Sequence, residues 1–128
     1  HAAKHYIFSI ICAPSGAYYA EGINPVRIYV EDEYIRAAPG LTGFTKCGGN
    51  YAASIKAGEL AEEQGYAQVL WLDGVEKKYV EEVGSMNIMF KIDGKVYTAA
   101  TVGTVLPGVT RRSCIELLKD WGYEVVEG

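Results

Sequence analysis

Lys46 is a candidate nucleophile, and it stands in the stretch TKCGGNY, residues 45–51. A glycine-rich turn just before a helix can hold a lysine rigidly, and glycines let a planar ligand approach the backbone closely. A desolvated lysine amine is a nucleophile that can form a Schiff base with a carbonyl compound. The alternative is an ordinary solvated loop lysine, and these seven residues alone favour that alternative.

Two later stretches carry further candidate groups. In YVEEVGSMNIMF, residues 79–90, Glu82 directly precedes Val-Gly-Ser at the end of a predicted strand. A buried carboxylate there could face a ligand ring and hold a pyridine nitrogen protonated. The alternative is that Glu81 and Glu82 are strand residues of which one or both face water.

The stretch LPGVTRRS, residues 106–113, opens a predicted helix with Gly-Val-Thr. Free backbone N–H groups at a helix start, together with the Thr110 hydroxyl, could bind a phosphate. The alternative is an ordinary helix start with Thr110 as its capping residue.

Composition bounds the class of protein. The chain has 128 residues, of which 49% are hydrophobic and 22% are charged, and its net charge is −4. These values are typical of a globular domain and provide no basic surface for nucleic acid. The longest apolar runs are too short to span a bilayer, so we expect neither a nucleic-acid nor a membrane partner.

Cysteine and histidine usage points to a reducing compartment and to chemistry without metal. Cys12, Cys47 and Cys114 form no CxxC pair, so we expect reduced thiols in the cytoplasm. His1 and His5 are the only histidines, and both lie at one terminus. The sequence therefore predicts neither a histidine-based triad nor a zinc site.

The order of elements predicts an α/β (α+β) fold: a mixed, partly barrel-like sheet with two main helices. The first helix is expected from Asn50, as its capping residue, to about Gln64, with Gly65 ending it. The second is expected from about Val109 to Trp121. Strands are expected in residues 6–12, 26–30, 67–74 and 123–128, with a short helical turn in 31–40 and a meander in 77–99 that contains an Asp93-Gly94 hairpin.

Taken in order, FTKCGGNYAAS, VEEVGSMNIMF and GTVLPGVTRRS closely resemble the fold-type-IV pyridoxal-phosphate enzymes, specifically the branched-chain amino acid aminotransferases. The resemblance begins near KHYIFSIICAPSGAYY and covers nearly the whole chain. It implies a partial chain: residues 1–25 would be the end of the small domain and the interdomain connection, and residues 26–128 part of the large, cofactor-binding domain.

The resemblance assigns roles to seven positions, with pyridoxal 5′-phosphate as the cofactor. Lys46 would form the Schiff base with the cofactor and shuttle the substrate's proton. Tyr51 would bind the cofactor's phenolic oxygen, and Glu82 would pair with the pyridine nitrogen. The remaining positions would contact the phosphate or line the space beside the substrate: Val109 and Thr110 for the phosphate, and Ser85 and Met86 for the substrate space.

The activity implied is transfer of the amino group between leucine, isoleucine or valine and 2-oxoglutarate, by a cytoplasmic homo-oligomer. The chain lacks the family's upstream phosphate-clamping arginine and its downstream Gly-Thr-Ala segment, and YTAATVGTVLPG departs from the commoner pattern of the loop before the phosphate helix. We therefore expect the isolated 128 residues to bind cofactor weakly and to turn over little substrate.

Two alternatives remain open at the level of sequence. One is another enzyme of the same fold type, either a D-amino acid aminotransferase or an aminodeoxychorismate lyase. The other is a non-catalytic structural or engineered fragment that self-associates through an open sheet edge.

Overall fold

Three strands rich in β-branched and aromatic residues form the first sheet. The computed structural model describes residues 1–19 and 22–128, and within them β1 (Ile28–Glu31) pairs in parallel with β2 (Gln68–Leu72). β2 pairs antiparallel with β3 (Val80–Val83), with an irregularity in register between Trp71 and Leu72. This sheet carries Glu82 on its third strand.

Helix α1 (Gly48–Glu63) makes the crossover between the two parallel strands. It ends where the sequence predicts, because Gly65 adopts a φ of +80° and the N–H of Tyr66 returns to the Ala61 carbonyl at 3.0 Å. Its start lies three residues before the predicted position. Cys47 is the capping residue instead of Asn50, whose buried amide donates from Nδ2 to the carbonyl oxygens of Thr42 and Thr45.

The core of this half is the contact between α1 and β2. Ala57 and Ala61 of the helix pack against Val69 and Trp71 of the strand, and small helical side chains let the large indole fit between the two elements. Trp71 is only 1% exposed, and its Nε1 donates to the Gly84 carbonyl at 3.0 Å. The indole therefore fixes the backbone just after Glu82.

The second sheet contains β4 (Phe90–Ile92), β5 (Lys95–Thr98) and β6 (Val125–Glu127). β4 and β5 form the predicted hairpin, in which Asp93 and Gly94 both adopt positive φ values, 48° and 81°, as a two-residue turn requires. β5 and β6 are parallel, and α2 (Val109–Asp120) joins them. The α/β fold with two main helices is thus confirmed.

The predicted strand in residues 6–12 and the predicted barrel-like shape of the sheet have different outcomes. Residues 6–12 form no strand within the described part of the chain, and Ile7 and Ile11 are 97% and 90% exposed. A strand requires a partner for its backbone groups, which its own sequence cannot supply. The described strands form two three-stranded sheets, and partly barrel-like closure stays a prediction.

The short helical turn expected in residues 31–40 is also wrong. Glu31 Oε1 accepts the backbone N–H groups of Glu33 at 2.7 Å and Tyr34 at 2.9 Å, which turns the chain immediately after β1. A side-chain acceptor of this kind competes with helical backbone bonding. The segment then runs irregularly and places Arg36 in the interior.

Candidate active site

Glu82 lies on β3 and is 2% exposed, so the interpretation of this glutamate as a water-facing strand residue is excluded. Its Oε1 accepts the Leu106 N–H at 2.7 Å and the Asn87 amide at 3.3 Å, and its Oε2 lies 3.3 Å from Arg36 Nε. Burial raises the pKa of Glu82 above its ordinary value, although the Leu106 N–H and the charges of Arg36 and Lys46 oppose this rise. The carboxylate is therefore enclosed, but donors support its charge.

Lys46 lies in the loop that enters α1, two residues before its first turn. Its Nζ is 3.5 Å from the Ser85 carbonyl oxygen and 5.2 Å from the centroid of the Tyr51 ring. The side chain is exposed. The amine is therefore not desolvated in this structure, although desolvation would make it a stronger nucleophile. The amine faces the turn after β3 and remains accessible.

The start of α2 presents unbonded backbone donors. Gly108 occupies the capping position without a side-chain hydrogen bond, so Thr110 is not the helix cap, and the first turn contains no acidic residue. The first N–H groups of a helix have no partner within it and carry a partial positive charge. Val109 and Thr110 are exposed at this end, which suits an anion.

One cavity of about 510 Å³ joins these parts of the chain. Its lining includes five of the seven predicted positions, namely Lys46, Ser85, Met86, Val109 and Thr110. That volume lies within the range of small-molecule sites. A larger hollow of about 670 Å³ lies beside α2 but contains only Val109 of the predicted residues, so the smaller cavity is the candidate site.

Tyr51 and Glu82 stand just outside that lining. The amine of Lys46, which lines the cavity, lies over the Tyr51 ring, so this ring is next to the cavity. Glu82 lies behind Asn87 and Leu106, which do line the cavity and donate to its carboxylate. The fold therefore brings every predicted position into one region, five in the wall and two directly behind it.

Sequence reasoning did not identify Arg36 and Asn87, which contact Glu82 directly. Asn87 Nδ2 also donates to the Leu106 carbonyl at 2.9 Å and so ties the loop before α2 to β3. Asn87 stands inside the quoted motif VEEVGSMNIMF, where its position five residues after Glu82 was the available signal. Arg36 offered no local signal, because its partners are distant in sequence.

Comparison with known proteins identifies the family. A family model described as Amino-transferase class IV matches residues 11–128. The chain is 58% identical over 127 residues to branched-chain-amino-acid aminotransferase 2 of Bacillus subtilis (strain 168), covering 98% of the chain and 35% of that protein. The chain belongs to the class IV aminotransferases, a family of pyridoxal-phosphate-dependent enzymes of fold type IV.

Solved structures agree with this assignment. The crystal structure of the Escherichia coli branched-chain amino acid aminotransferase matches with a TM-score of 0.80 at 35% identity, covering 90% of this chain and 38% of that chain. The Thermobaculum terrenum enzyme in its PLP-form matches with a TM-score of 0.73 at 26% identity, covering 84% of this chain and 34% of that one. The chain thus spans about a third of the length of the proteins it matches.

The residues in the cavity wall and directly behind it fit such a phosphorylated pyridine cofactor on physical grounds. The exposed Lys46 amine suits an aldehyde, and the uncapped start of α2 suits a phosphate. The buried carboxylate of Glu82 suits a basic ring nitrogen. Within the described residues, no helix is long and apolar enough to cross a membrane.

Proposed function

We propose that the protein containing this chain is a branched-chain amino acid aminotransferase, which transfers the amino group between leucine, isoleucine or valine and 2-oxoglutarate. Relatives bearing that name at 58% identity support the substrate class. The cofactor would be pyridoxal 5′-phosphate, the group named for the similar Thermobaculum terrenum structure in its holo-form.

The observation that carries the proposal is the convergence of three unlike groups on one region. An amine from the loop before α1, a carboxylate from β3 and the open end of α2 come from positions 46, 82 and 109–110 of the chain. A structural lysine, an incidental buried acid and an ordinary helix start would not be expected to meet around one cavity.

The roles of the side chains follow from their chemistry. When bound, the cofactor supplies an aldehyde for the amine and a ring that withdraws electrons from the substrate's α-carbon. Lys46 Nζ would hold the cofactor through its aldehyde carbon, with water as the leaving group, and would move the proton of the substrate's α-carbon. Glu82, as an anion, would hold the proton on the pyridine nitrogen, and Tyr51 would donate to the phenolic oxygen.

The remaining proposed contacts position the cofactor and the substrate. The backbone N–H groups of Val109 and Thr110, with the Thr110 hydroxyl, bind the phosphate at the start of α2. Ser85 and Met86 line the adjoining space, where the substrate side chain would lie. We place the enzyme in the cytoplasm, since Cys12, Cys47 and Cys114 are free thiols, and we propose a homo-oligomer because the family resemblance implies one.

A substrate comparison tests this assignment. The protein as its gene encodes it, supplied with pyridoxal 5′-phosphate and 2-oxoglutarate, should produce glutamate from leucine, isoleucine and valine. D-alanine with 2-oxoglutarate tests the D-amino acid aminotransferase, and pyruvate release from aminodeoxychorismate tests the lyase. Activity confined to either of these alternative substrates would replace the proposal with the corresponding enzyme.

The isolated 128 residues have a separate expectation. These residues offer fewer contacts to the cofactor's phosphate than the family pattern does. Each charge-assisted hydrogen bond contributes roughly 1.5 to 3 kcal/mol, so the affinity for the cofactor should be lower. We therefore expect weak cofactor binding and little turnover from these residues alone. Light scattering after size-exclusion chromatography tests the non-catalytic alternative, in which the isolated chain self-associates and shows no binding.

A further inference from the structure

Arg36 lies between β1 and α1 and is buried, with 6% of its surface exposed. Its Nη2 donates to the carbonyl oxygen of Gly43 at 3.1 Å and to that of Thr104, and its Nε lies 3.3 Å from Glu82 Oε2. Enclosing a guanidinium is unfavourable unless it is well paired. The partner of this guanidinium is the acid proposed to face the pyridine nitrogen.

The donors around Glu82 are of two kinds. The Leu106 N–H and the Asn87 amide are neutral and both act on Oε1, so they fix the orientation of the carboxylate. Arg36 acts on Oε2 and is the cation enclosed together with the carboxylate, since both side chains are less than 5% exposed. Lys46 also supports the negative charge, but from an exposed position.

The positive charge of Arg36 also acts on a second buried carboxylate, that of Glu81. Glu81 accepts a hydrogen bond from the Thr104 hydroxyl through Oε1, and its buried Oε2 has no hydrogen-bond partner among the described residues. The same Thr104 accepts from Arg36 through its carbonyl oxygen. Arg36 therefore lies at the centre of a cluster with two carboxylates and one enclosed cation.

We infer that Arg36 is a positioning residue of the cofactor site: it keeps Glu82 ionised, so that Glu82 can hold the cofactor's pyridine nitrogen protonated. The inference rests on the proposed function. Through Thr104, Arg36 also fixes the loop that leads into α2, so one side chain connects the ring-binding acid with the phosphate-binding end of the site.

Electrostatics support this role. Burial raises the pKa of both Glu81 and Glu82, and the charge of Arg36 opposes the rise in both. Without the guanidinium, burial would favour the neutral acids. A neutral carboxylic acid at position 82 can donate a hydrogen bond but cannot stabilise a pyridinium charge.

The test uses the protein as its gene encodes it, loaded with pyridoxal 5′-phosphate labelled with ¹⁵N in the ring. The ¹⁵N chemical shift distinguishes a protonated from an unprotonated pyridine nitrogen. The wild type should show the protonated signal, Arg36→Met should lose it, and Arg36→Lys should restore it because the charge is kept. An unchanged protonated signal in Arg36→Met would overturn the inference.

Two controls separate positioning from general destabilisation. Arg27→Met removes an exposed arginine that stacks on the Tyr66 ring, and it should leave the ¹⁵N signal unchanged. If Arg36→Met does not fold, Arg36→Met combined with Glu82→Gln should fold, because it removes both charges of the pair. Both variants lose the bonds of Arg36 to Gly43 and Thr104, so a double variant no more stable than Arg36→Met would show that Arg36 does not act through the charge of Glu82.

A measurement without cofactor separates a failure of the proposed role of Arg36 from a failure of the proposed function. If the wild type binds no pyridoxal 5′-phosphate, the proposed function fails, and the ¹³C shift of the Glu82 carboxyl in the unloaded protein still reports its ionisation. At neutral pH that carboxyl should be ionised in the wild type and protonated in Arg36→Met. Identical ¹³C shifts in the two proteins would overturn the role of Arg36.

Discussion

At the scale of single residues, Glu81 is the buried acid whose ionisation should be visible in stability. Burial raises its pKa above the ordinary value, while the Thr104 hydroxyl and Arg36 lower it. A raised acid pKa in the folded state means that stability falls as the pH rises from the unfolded pKa through the folded one. The stability of Glu81→Gln relative to that of the wild type should therefore be higher at pH 8 than at pH 4.5.

Urea unfolding at the two pH values measures this difference directly. Glu63→Gln, which changes an exposed glutamate at the end of α1, is the matched control. Its stability relative to the wild type should be the same at both pH values. An advantage of Glu81→Gln that is equal at pH 4.5 and pH 8 would show that Glu81 does not titrate as its burial requires.

How much of the site the sequence predicts depends on the distance between partners. Lys46 and Glu82 stand in short motifs with recognisable neighbours, so the sequence alone suffices to propose both. The burial of Glu82 could not be predicted in this way, because its donors Arg36 and Leu106 are 46 and 24 positions away along the chain. The pairing of distant polar groups is decided by packing, which a local pattern does not contain.

At the scale of elements, the start of α2 is fixed by contact between Gly108 and Asn87. A Cβ added at position 108 would collide with Asn87 Oδ1, and Asn87 holds both Glu82 and the Leu106 carbonyl. We predict that Gly108→Ala weakens binding of pyridoxal 5′-phosphate by about tenfold, the loss expected for roughly 1.4 kcal/mol. A fluorescence titration with the cofactor measures the change.

Gly58→Ala is the matched control for this substitution. Gly58 lies within α1, and a Cβ there would meet no atom within 4 Å. The variant should bind cofactor as the wild type does and gain about 0.5 to 1 kcal/mol of stability, because glycine is unfavourable inside a helix. Equal cofactor affinity in the Gly108 and Gly58 variants would contradict the proposed role of the α2 start.

The turn between β2 and β3 is organised by one carboxylate. The backbone N–H groups of Tyr79, Glu76, Lys78 and Val75 all donate to Asp73 and hold its pKa well below its ordinary range. This stabilisation is present above the unfolded pKa, near 3.8, and is lost as the pH falls below it. Asp73→Asn should therefore loosen the turn at pH 7.

Amide hydrogen exchange provides the measurement for that turn. At pH 7 the four N–H groups bonded to Asp73 should exchange faster in Asp73→Asn, because the amide side chain turns an N–H₂ toward donors. Asp93→Asn is the control, since it lies in the turn of the β4–β5 hairpin, where asparagine tolerates the positive φ of 48°. Unchanged exchange in residues 75–79 would refute the organising role of Asp73.

The elements that the sequence predicted well are those whose ends are marked locally. Gly65 ends α1, Gly122 follows α2 with a φ of 83°, and Asp93-Gly94 closes the hairpin, all through positive φ values. Residues 6–12 have the composition of a strand but no strand to pair with in the described part of the chain. Composition predicts the capacity to form a strand, and a neighbour decides whether it forms.

At the scale of the whole molecule, that apolar segment should control association of the isolated 128 residues. Ile7, Phe8 and Ile11 are nearly fully exposed, and consecutive exposed apolar side chains promote contact between copies. Replacing Ile7 and Ile11 with serine should shift the chain toward monomer. Size-exclusion chromatography with light scattering measures the mass.

The control for this prediction is Ile23→Ser, which changes a fully exposed isoleucine outside the segment and should leave the mass unchanged. A wild-type chain that is already monomeric at high concentration would contradict the prediction. It would also weaken the alternative of a self-associating, non-catalytic protein.

The most direct test of the whole account is the absorbance spectrum after addition of pyridoxal 5′-phosphate to the protein as its gene encodes it. Lys46→Ala removes the proposed nucleophile, and Lys56→Ala removes an exposed lysine of α1 as the control. We predict a visible band in the wild type and in Lys56→Ala that disappears on borohydride reduction and is missing in Lys46→Ala. A band that persists without Lys46, or no band in the wild type, would contradict the assignment of this cavity as the cofactor site.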